Sequence, residues 1–290
     1  MGTYGTHSTK IREPIASGLF YPEDESELRN KLEELFAAGT CGPGSAVCIV
    51  SPHAGYEYSG RISAAAVQSA SKRKIRTAII LGPTHRESED AIYLSESRFF
   101  KTPLGAVQVD EELNEELLDL NNRIIKNDVP HLEEHCIEVQ LPFIQYLFPG
   151  ATVLPLLLGK TSFELVKVLS QALKICMATR EEYPLFLVSS NMSAYLKADT
   201  AEEQTRLFLK LVADKTPEAI IKAHLDKKIS ACGAGCLAAV LGLNSPEENE
   251  HNIEVQVLEK GSSGEYGEEK DNVVHYAAIS IHDKRLRHAI

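Results

Sequence analysis

No segment of this sequence is long and apolar enough to span a bilayer. The longest apolar run, Ala151–Gly159, is short and is interrupted by Pro155. The polar, Gly/Thr-rich start from Met1 to Glu13 lacks the apolar core of a signal peptide. Basic charge is in deficit too: 30 Lys and Arg against 41 Asp and Glu give a net charge of −11. That balance repels phosphate backbones and anionic lipid, so neither nucleic acid nor a membrane surface is an expected partner. The densest basic cluster, Lys72, Arg73, Lys74 and Arg76, reads as a solvated helix end. Paired cysteine spacings are missing as well. The six cysteines, at 41, 48, 136, 176, 232 and 236, are scattered through a chain large enough to build its own core. This is the pattern of a reducing compartment, and the cytoplasm is the expected location. Internal repeats and low-complexity tracts are absent. Ser51, Ser59 and Ser190 are not in nucleophile-elbow sequences, which disfavours a Ser/His/Asp hydrolase.

What is present is an ordinary globular composition, 43% apolar and 24% charged. Short β-branched or aliphatic runs at Ala46–Val50, Thr77–Leu81, Thr152–Leu158 and Pro184–Val188 read as buried strands. Between and after them, apolar residues three and four apart predict helices over Glu23–Phe36, Arg61–Ala70, Glu111–Leu120, Glu138–Phe148, Phe163–Met177, Ala201–Ala213 and Pro217–Leu225. Two final strand-like runs, Ile253–Leu258 and Val274–Ile281, flank the acidic, flexible-looking loop Gly261–Asp271 and predict an antiparallel edge pair. The alternation implies one α/β domain over residues 1–290, with three layers, α/β/α, around a largely parallel central sheet.

Three of these strands run into polar, turn-forming sequences that carry reactive groups. Ala46–Val50 leads to Ser51-Pro52-His53-Ala54-Gly55-Tyr56, Thr77–Leu81 to Gly82-Pro83-Thr84-His85-Arg86, and Pro184–Val188 to Ser189-Ser190-Asn191-Met192-Ser193. Ligands of open α/β sheets bind beyond the carboxyl ends of the strands, which is where these turns fall. His53 and His85, expected to end adjacent strands, are candidate metal ligands; the plainer alternative is a pair of surface or capping histidines. Two imidazoles leave a divalent metal short of a ligand. Cys232, before a helix-like stretch at Leu237–Leu243, is the candidate third, its thiolate favoured by helix amides. The alternative is that Cys232 and Cys236 are small core residues. Gly233-Ala234-Gly235-Cys236-Leu237-Ala238 matches the glycine spacing of a dinucleotide-binding turn, but Ala223–Ile229 before it, with His224, Asp226, Lys227 and Lys228, is no buried strand. The run Glu133-Glu134-His135-Cys136-Ile137-Glu138 is dense in acid and imidazole. On a helix starting near His135, Glu134 and Glu138 would share a face. Glu134, His135 and Glu138 are therefore candidates to orient a metal-bound histidine, with Glu134 or His135 as proton donor; a solvated helix start is the competing reading.

The turns SPHAGYEYSG and GPTH, the segments FKTPLGAVQVD and EEHCIEVQLPF, the start SGLFYPEDESEL, the end VVHYAAISI and the Cys232 turn together resemble the Memo family. The resemblance covers nearly the whole chain from about Ile15. It implies a fold like that of the class III extradiol ring-cleaving dioxygenases, which bind iron through two histidines and a glutamate. In the Memo-like site His53 and His85 match the histidines and Cys232 replaces the glutamate; Tyr56, Glu134, His135, Glu138, Asn191 and Ala194 are the candidate pocket residues around these three in this chain. The implied cofactor is a divalent metal, iron first, with copper or zinc as alternatives. The implied partners are a protein or phosphotyrosine peptide, as in animal signalling and motility, or a radical-SAM system in prokaryotes. This chain departs from the pattern at two positions: Asn191 stands where relatives carry aspartate and Ala194 where they carry histidine. An alanine neither moves a proton nor binds a metal, so extradiol cleavage is not expected. The glycine turn after Cys232 also lacks the arginine and proline usual in relatives. A module that binds peptide in the same pocket without chemistry is the alternative function.

Overall fold

In a computed structural model the described residues are 10–39, 42–86, 89–180, 182–267 and 271–286. Strands form at β1 (Ile11–Arg12), β2 (Cys48–Ser51), β3 (Thr77–Pro83), β4 (Ile92–Leu94), β5 (Phe99–Thr102), β6 (Gly105–Gln108), β7 (Ile124–Lys126), β8 (Thr152–Leu158), β9 (Leu185–Ser189), β10 (Ser193–Leu196), β11 (Ile253–Ser262) and β12 (Val273–Asp283). Helices form at α1 (Glu25–Ala38), α2 (Tyr56–Gln68), α3 (Glu111–Leu118), α4 (Asp128–Glu133), α5 (Leu141–Leu147), α6 (Phe163–Ala178), α7 (Ala198–Ala213), α8 (Pro217–Leu225), α9 (Ala234–Leu241) and α10 (Pro246–Asn252). Helix α1 shows why: Asp24 caps the amides of Ser26 and Glu27, and Leu28, Leu32, Leu35 and Phe36 are buried along one face.

Among the described residues the main sheet has nine strands, with β2, β9, β3 and β8 side by side and parallel at its centre. Each central strand alternates between two apolar cores, as a sheet covered on both faces must. Cys48, Val50, Ile79, Leu81, Phe186 and Val188 pack into one core with α3, α6, α7, α8 and α9. Ile49, Ala78, Ile80, Leu185 and Leu187 pack into the other with α1, α2 and α5. The three layers follow from this division. The chain places β9 between β2 and β3, so the histidine-bearing strands are not neighbours, as the sequence implied, but lie one strand apart. Strand β12 is likewise interior: β11 pairs along one side of it while β2 and β10 also bond to it, which leaves β11 at the edge. Strand β11 continues through Gly261 and Ser262, regular structure where a loop was expected; residues 268–270 of that loop lie outside the described residues. The FKTPLGAVQVD segment forms the β5–β6 hairpin, which with β1 makes a second, small sheet.

The region read as one helix from His135 is broken. Helix α4 ends at Glu133, Glu134 is extended, and a single 3-10 turn at Glu138–Gln140 precedes α5. The break follows from what Glu138 does. Its fully buried carboxylate pairs with the equally buried Arg12 and accepts the amides of Ile15 (2.9 Å) and Ala16 (2.8 Å) and the Tyr21 hydroxyl (2.6 Å). Arg12 also donates to the carbonyls of His131 (3.0 Å) and Glu134 (2.9 Å), fixing the chain just before the candidate site. Leaving a buried guanidinium unpaired costs about 3–5 kcal/mol. Glu138→Ala is therefore expected to lose stability on that scale in urea denaturation, with Glu138→Gln losing less; a loss below about 1 kcal/mol, the value of an exposed pair, would contradict this account.

Candidate metal centre

Parallel register brings the three site turns to one edge. Ser51 of β2 is opposite Ser189 of β9, and β3 ends at Pro83; His53, Asn191 and His85 each stand two positions beyond those strand ends. Strands one apart place the two histidine turns about 10 Å from each other at the backbone, from the usual strand spacing. The imidazoles close this gap over the end of β9, with ring centroids 5.2 Å apart and planes at 87°. Cys232 comes from the opposite layer, just before Gly233, the N-cap of α9. Its Sγ lies 3.3 Å from His53 Nε2. Glycine is required next to it, because a Cβ at Gly233 would stand 2.6 Å from Ser190 Cβ and 2.8 Å from the Ser189 carbonyl oxygen. The Gly233 amide donates to Ser190 Oγ (2.9 Å), docking the cysteine turn on the β9 turn. The glycine pattern thus serves close packing, not a dinucleotide.

His53, His85 and Cys232 each offer one ligand atom within 4.8 Å of the others. Metal–nitrogen and metal–sulfur bonds of zinc-like length, opened at a tetrahedral angle, place N and S about 3.5 Å apart, close to the separation seen between His53 Nε2 and Cys232 Sγ. The donor set fits a divalent metal. His53 is buried, whereas the His85 side chain is 39% exposed, so solvent reaches the group from the His85 side.

Supporting groups surround the three. Glu134 accepts the His85 amide (2.9 Å), His85 Nδ1 (2.9 and 3.0 Å), and the Cys136 amide (2.9 Å), and its Oε1 lies 3.2 Å from His135 Nδ1. The His135 ring stacks on His85 at 5.3 Å, meets His53 edge-on at 5.5 Å, and is covered by Phe20 at 4.6 Å. Asn191 bridges two of the candidate ligands, accepting the His53 backbone N–H on Oδ1 (3.1 Å) and donating its backbone N–H to Cys232 Sγ (3.2 Å). Ala194 lies in β10, next to the buried Ser193 that pairs with β12. Two sequence candidates are not brought to the group: Glu138 is occupied by Arg12, and the Tyr56 hydroxyl donates to the Val139 carbonyl (2.8 Å) within the core. Ser189 and Gln140, which lie in the quoted motifs but were not among the candidate site residues, do reach it: Ser189 Oγ lies 2.9 Å from His53 Nδ1, and Gln140 Nε2 lies 3.2 Å from that oxygen.

The electrostatics favour a thiolate. Burial alone would raise the Cys232 pKa, but the imidazoles of His53 and His85 hold it well below the ordinary thiol value. The amide at the sulfur is that of Asn191, not those of the α9 N-terminus. His85 is raised to about 10 by Cys232 and then by Glu134. Burial opposes the ionisation of Glu134, yet His85 brings it down to about 2. His135 is lowered to about 4 by burial and then by the other two imidazoles, so it is neutral at pH 7.

The comparison with known sequences decides the family. A family model described as Memo-like protein matches residues 12–280. The chain belongs to the Memo family. Relatives named MEMO1 family protein include one from Ignicoccus hospitalis, 31% identical over 284 residues (93% of this chain, 98% of the relative). Those from Thermotoga neapolitana and Aeropyrum pernix are each 30% identical, covering 93% and 94% of this chain and 99% and 100% of their own lengths. Among solved structures, the Escherichia coli K12 protein JW3007 overlays with a TM-score of 0.46 at 11% identity, covering 74% of this Memo-family chain and 91% of its own.

These shifts fix the pH dependence of the metal-free protein. His131, fully buried, and His135 are both lowered to about 4, so between about 6.5 and 4 the unfolded chain takes up protons that the folded chain refuses. Stability falls as pH drops through that window. Glu134 and Asp128, lowered to about 2 against the effect of burial, stabilise above the unfolded carboxylate range and lose that contribution toward pH 2. His85 acts in the opposite direction: its contribution is complete below 6.5 and is lost as pH rises toward 10. Above neutrality the loss from His85 is offset by the gain from the lowered Cys232 thiol, so urea denaturation is expected to show stability declining as pH falls below about 6.5, already evident by pH 5. A profile flat from pH 7 to 4 would contradict these assignments.

Proposed function

We propose that this Memo-family protein holds one divalent metal through His53, His85 and Cys232, with iron ranked first and copper and zinc as competitors. The observation that carries the proposal is the convergence of two imidazole nitrogens and a thiolate from three separate turns. Two histidines with one anionic ligand and open positions is a non-haem iron arrangement, while the softness of sulfur draws copper and zinc. A metal there would supply Lewis acidity and, if iron or copper, electron transfer. The surrounding residues have definite parts. Glu134 orients His85 through Nδ1, and the Asn191 amide steadies the Cys232 thiolate. Neutral His135, tied to Glu134, is the group placed to exchange a proton with a molecule entering from the exposed side of His85. The free cysteines at 48, 136, 176, 232 and 236 support a reducing, cytoplasmic setting. A radical-SAM partner rests on family resemblance alone.

Protein purified anaerobically, without a metal-binding tag, is expected to carry about one equivalent of metal by elemental analysis, in keeping with a single mononuclear site. His85→Ala and Cys232→Ala should each remove it. Because the ligands must be deprotonated, affinity should fall as pH drops through the histidine range. A wild-type protein that neither carries nor takes up iron, copper or zinc would reject the proposal. Ala194 favours a second reading, a peptide-binding module using the same pocket, because a positioned acid/base is worth about 10²–10⁴-fold in rate. Ferrous-loaded protein is accordingly expected not to cleave simple catechols; robust ring cleavage lost in His85→Ala would show that expectation wrong. Peptide binding that survives a chelator would favour the second reading.

A further inference from the structure

His53 and His85 are supported in different ways, and the difference lies in one hydroxyl. Ser189, fully buried at the end of β9, faces the same core as Leu185 and Leu187, where the 136–140 turn packs. Its Oγ donates to the Cys136 carbonyl at 2.7 Å, and a carbonyl can only accept. A hydroxyl has one proton, so toward its other neighbours this oxygen acts as an acceptor. Those neighbours are His53 Nδ1 at 2.9 Å and Gln140 Nε2 at 3.2 Å. The Gln140 amide cannot be turned round without loss, because the same Nε2 donates to the Pro52 carbonyl at 2.8 Å. Both of its protons are committed, so Gln140 does not offer Ser189 an acceptor. The proton in the contact with His53 must therefore come from the imidazole.

We propose that Ser189, held by the Cys136 carbonyl and by Gln140, is a positioning residue that keeps the proton of His53 on Nδ1 and so presents Nε2 to the metal. The last step rests on the metal reading of the site; the position of the proton does not. His53 Nε2 is the atom that already faces Cys232 Sγ. His85 is oriented the same way by a carboxylate, whereas His53 has a neutral oxygen behind it. A carboxylate raises the basicity of the histidine it backs, so the two nitrogens are unequal donors, His85 the stronger.

Long-range proton–nitrogen NMR of the full chain tests this directly. In metal-free wild type His53 Nδ1 is expected to carry a slowly exchanging proton, and in the zinc-loaded protein Nδ1 stays protonated while Nε2 shifts as a bound ligand. Ser189→Ala should redistribute the His53 tautomers and weaken zinc binding by about 10–100-fold, the usual range for such supporting groups. Ser189→Thr, which restores the hydroxyl, should recover both. Finding Nδ1 unprotonated in the metal-free wild type would overturn the proposal, as would a Ser189→Ala protein with unchanged tautomer and affinity. If Ser189→Ala does not fold, the wild-type spectra decide. If wild type binds no zinc, the metal reading fails, while the metal-free spectrum still decides where the proton lies.

Discussion

The candidate centre depends on the carboxylate of Glu134. It is one side chain with three donors, the amide and ring of His85 and the amide of Cys136, and the ring of His135 lies 3.2 Å from its other side. These contacts hold the β3 turn against the 134–137 segment and face the free edge of His85 toward His53 and Cys232. Glu134 is in turn fixed by Arg12, which binds its carbonyl and pairs with Glu138. Two buried acids four positions apart thus divide the work, Glu138 anchoring the N-terminal segment and Glu134 orienting the site. Such a polar assembly is stable only when every member is satisfied, because an unpaired charge in the interior costs more than an ordinary contact returns.

The sheet explains why the three ligand turns meet. Placing β9 between β2 and β3 makes the chain double back, and ligands gather beyond the carboxyl ends of strands at such reversals. The spacing then works in favour of a shared site. Neighbouring turns would crowd two imidazoles, whereas turns one strand apart leave room for both rings, with the β9 turn below supplying Ser189 to one histidine and Asn191 to a histidine and the cysteine alike.

The four central strands were legible because strands covered on both faces read as unbroken aliphatic runs, and Thr152–Leu158 coincides with β8 from end to end. Strands β4, β7 and β10 were not, being short segments that carry no periodic signal. The two histidines and Cys232 stood out by chemical type and by position after a strand or before a helix. Glu138 was expected to orient a metal-bound histidine; its pairing with Arg12 was not legible, because that partner is 126 positions away and no local pattern reports a pairing of that range. Ser189 was missed for another reason: a serine after a strand is commonplace. Alternation along β9 places it on the face of Leu185 and Leu187, but only the folded 136–140 turn shows what it meets there.

The central claim is that two imidazoles and a thiolate bind one metal, and X-ray absorption at the metal edge of iron- or zinc-loaded protein tests it most directly. The account predicts one sulfur at about 2.3 Å and two histidine nitrogens at about 2.0–2.1 Å, with the sulfur lost in Cys232→Ala and the protein still folded. A spectrum of the wild type with only nitrogen and oxygen around the metal would contradict it.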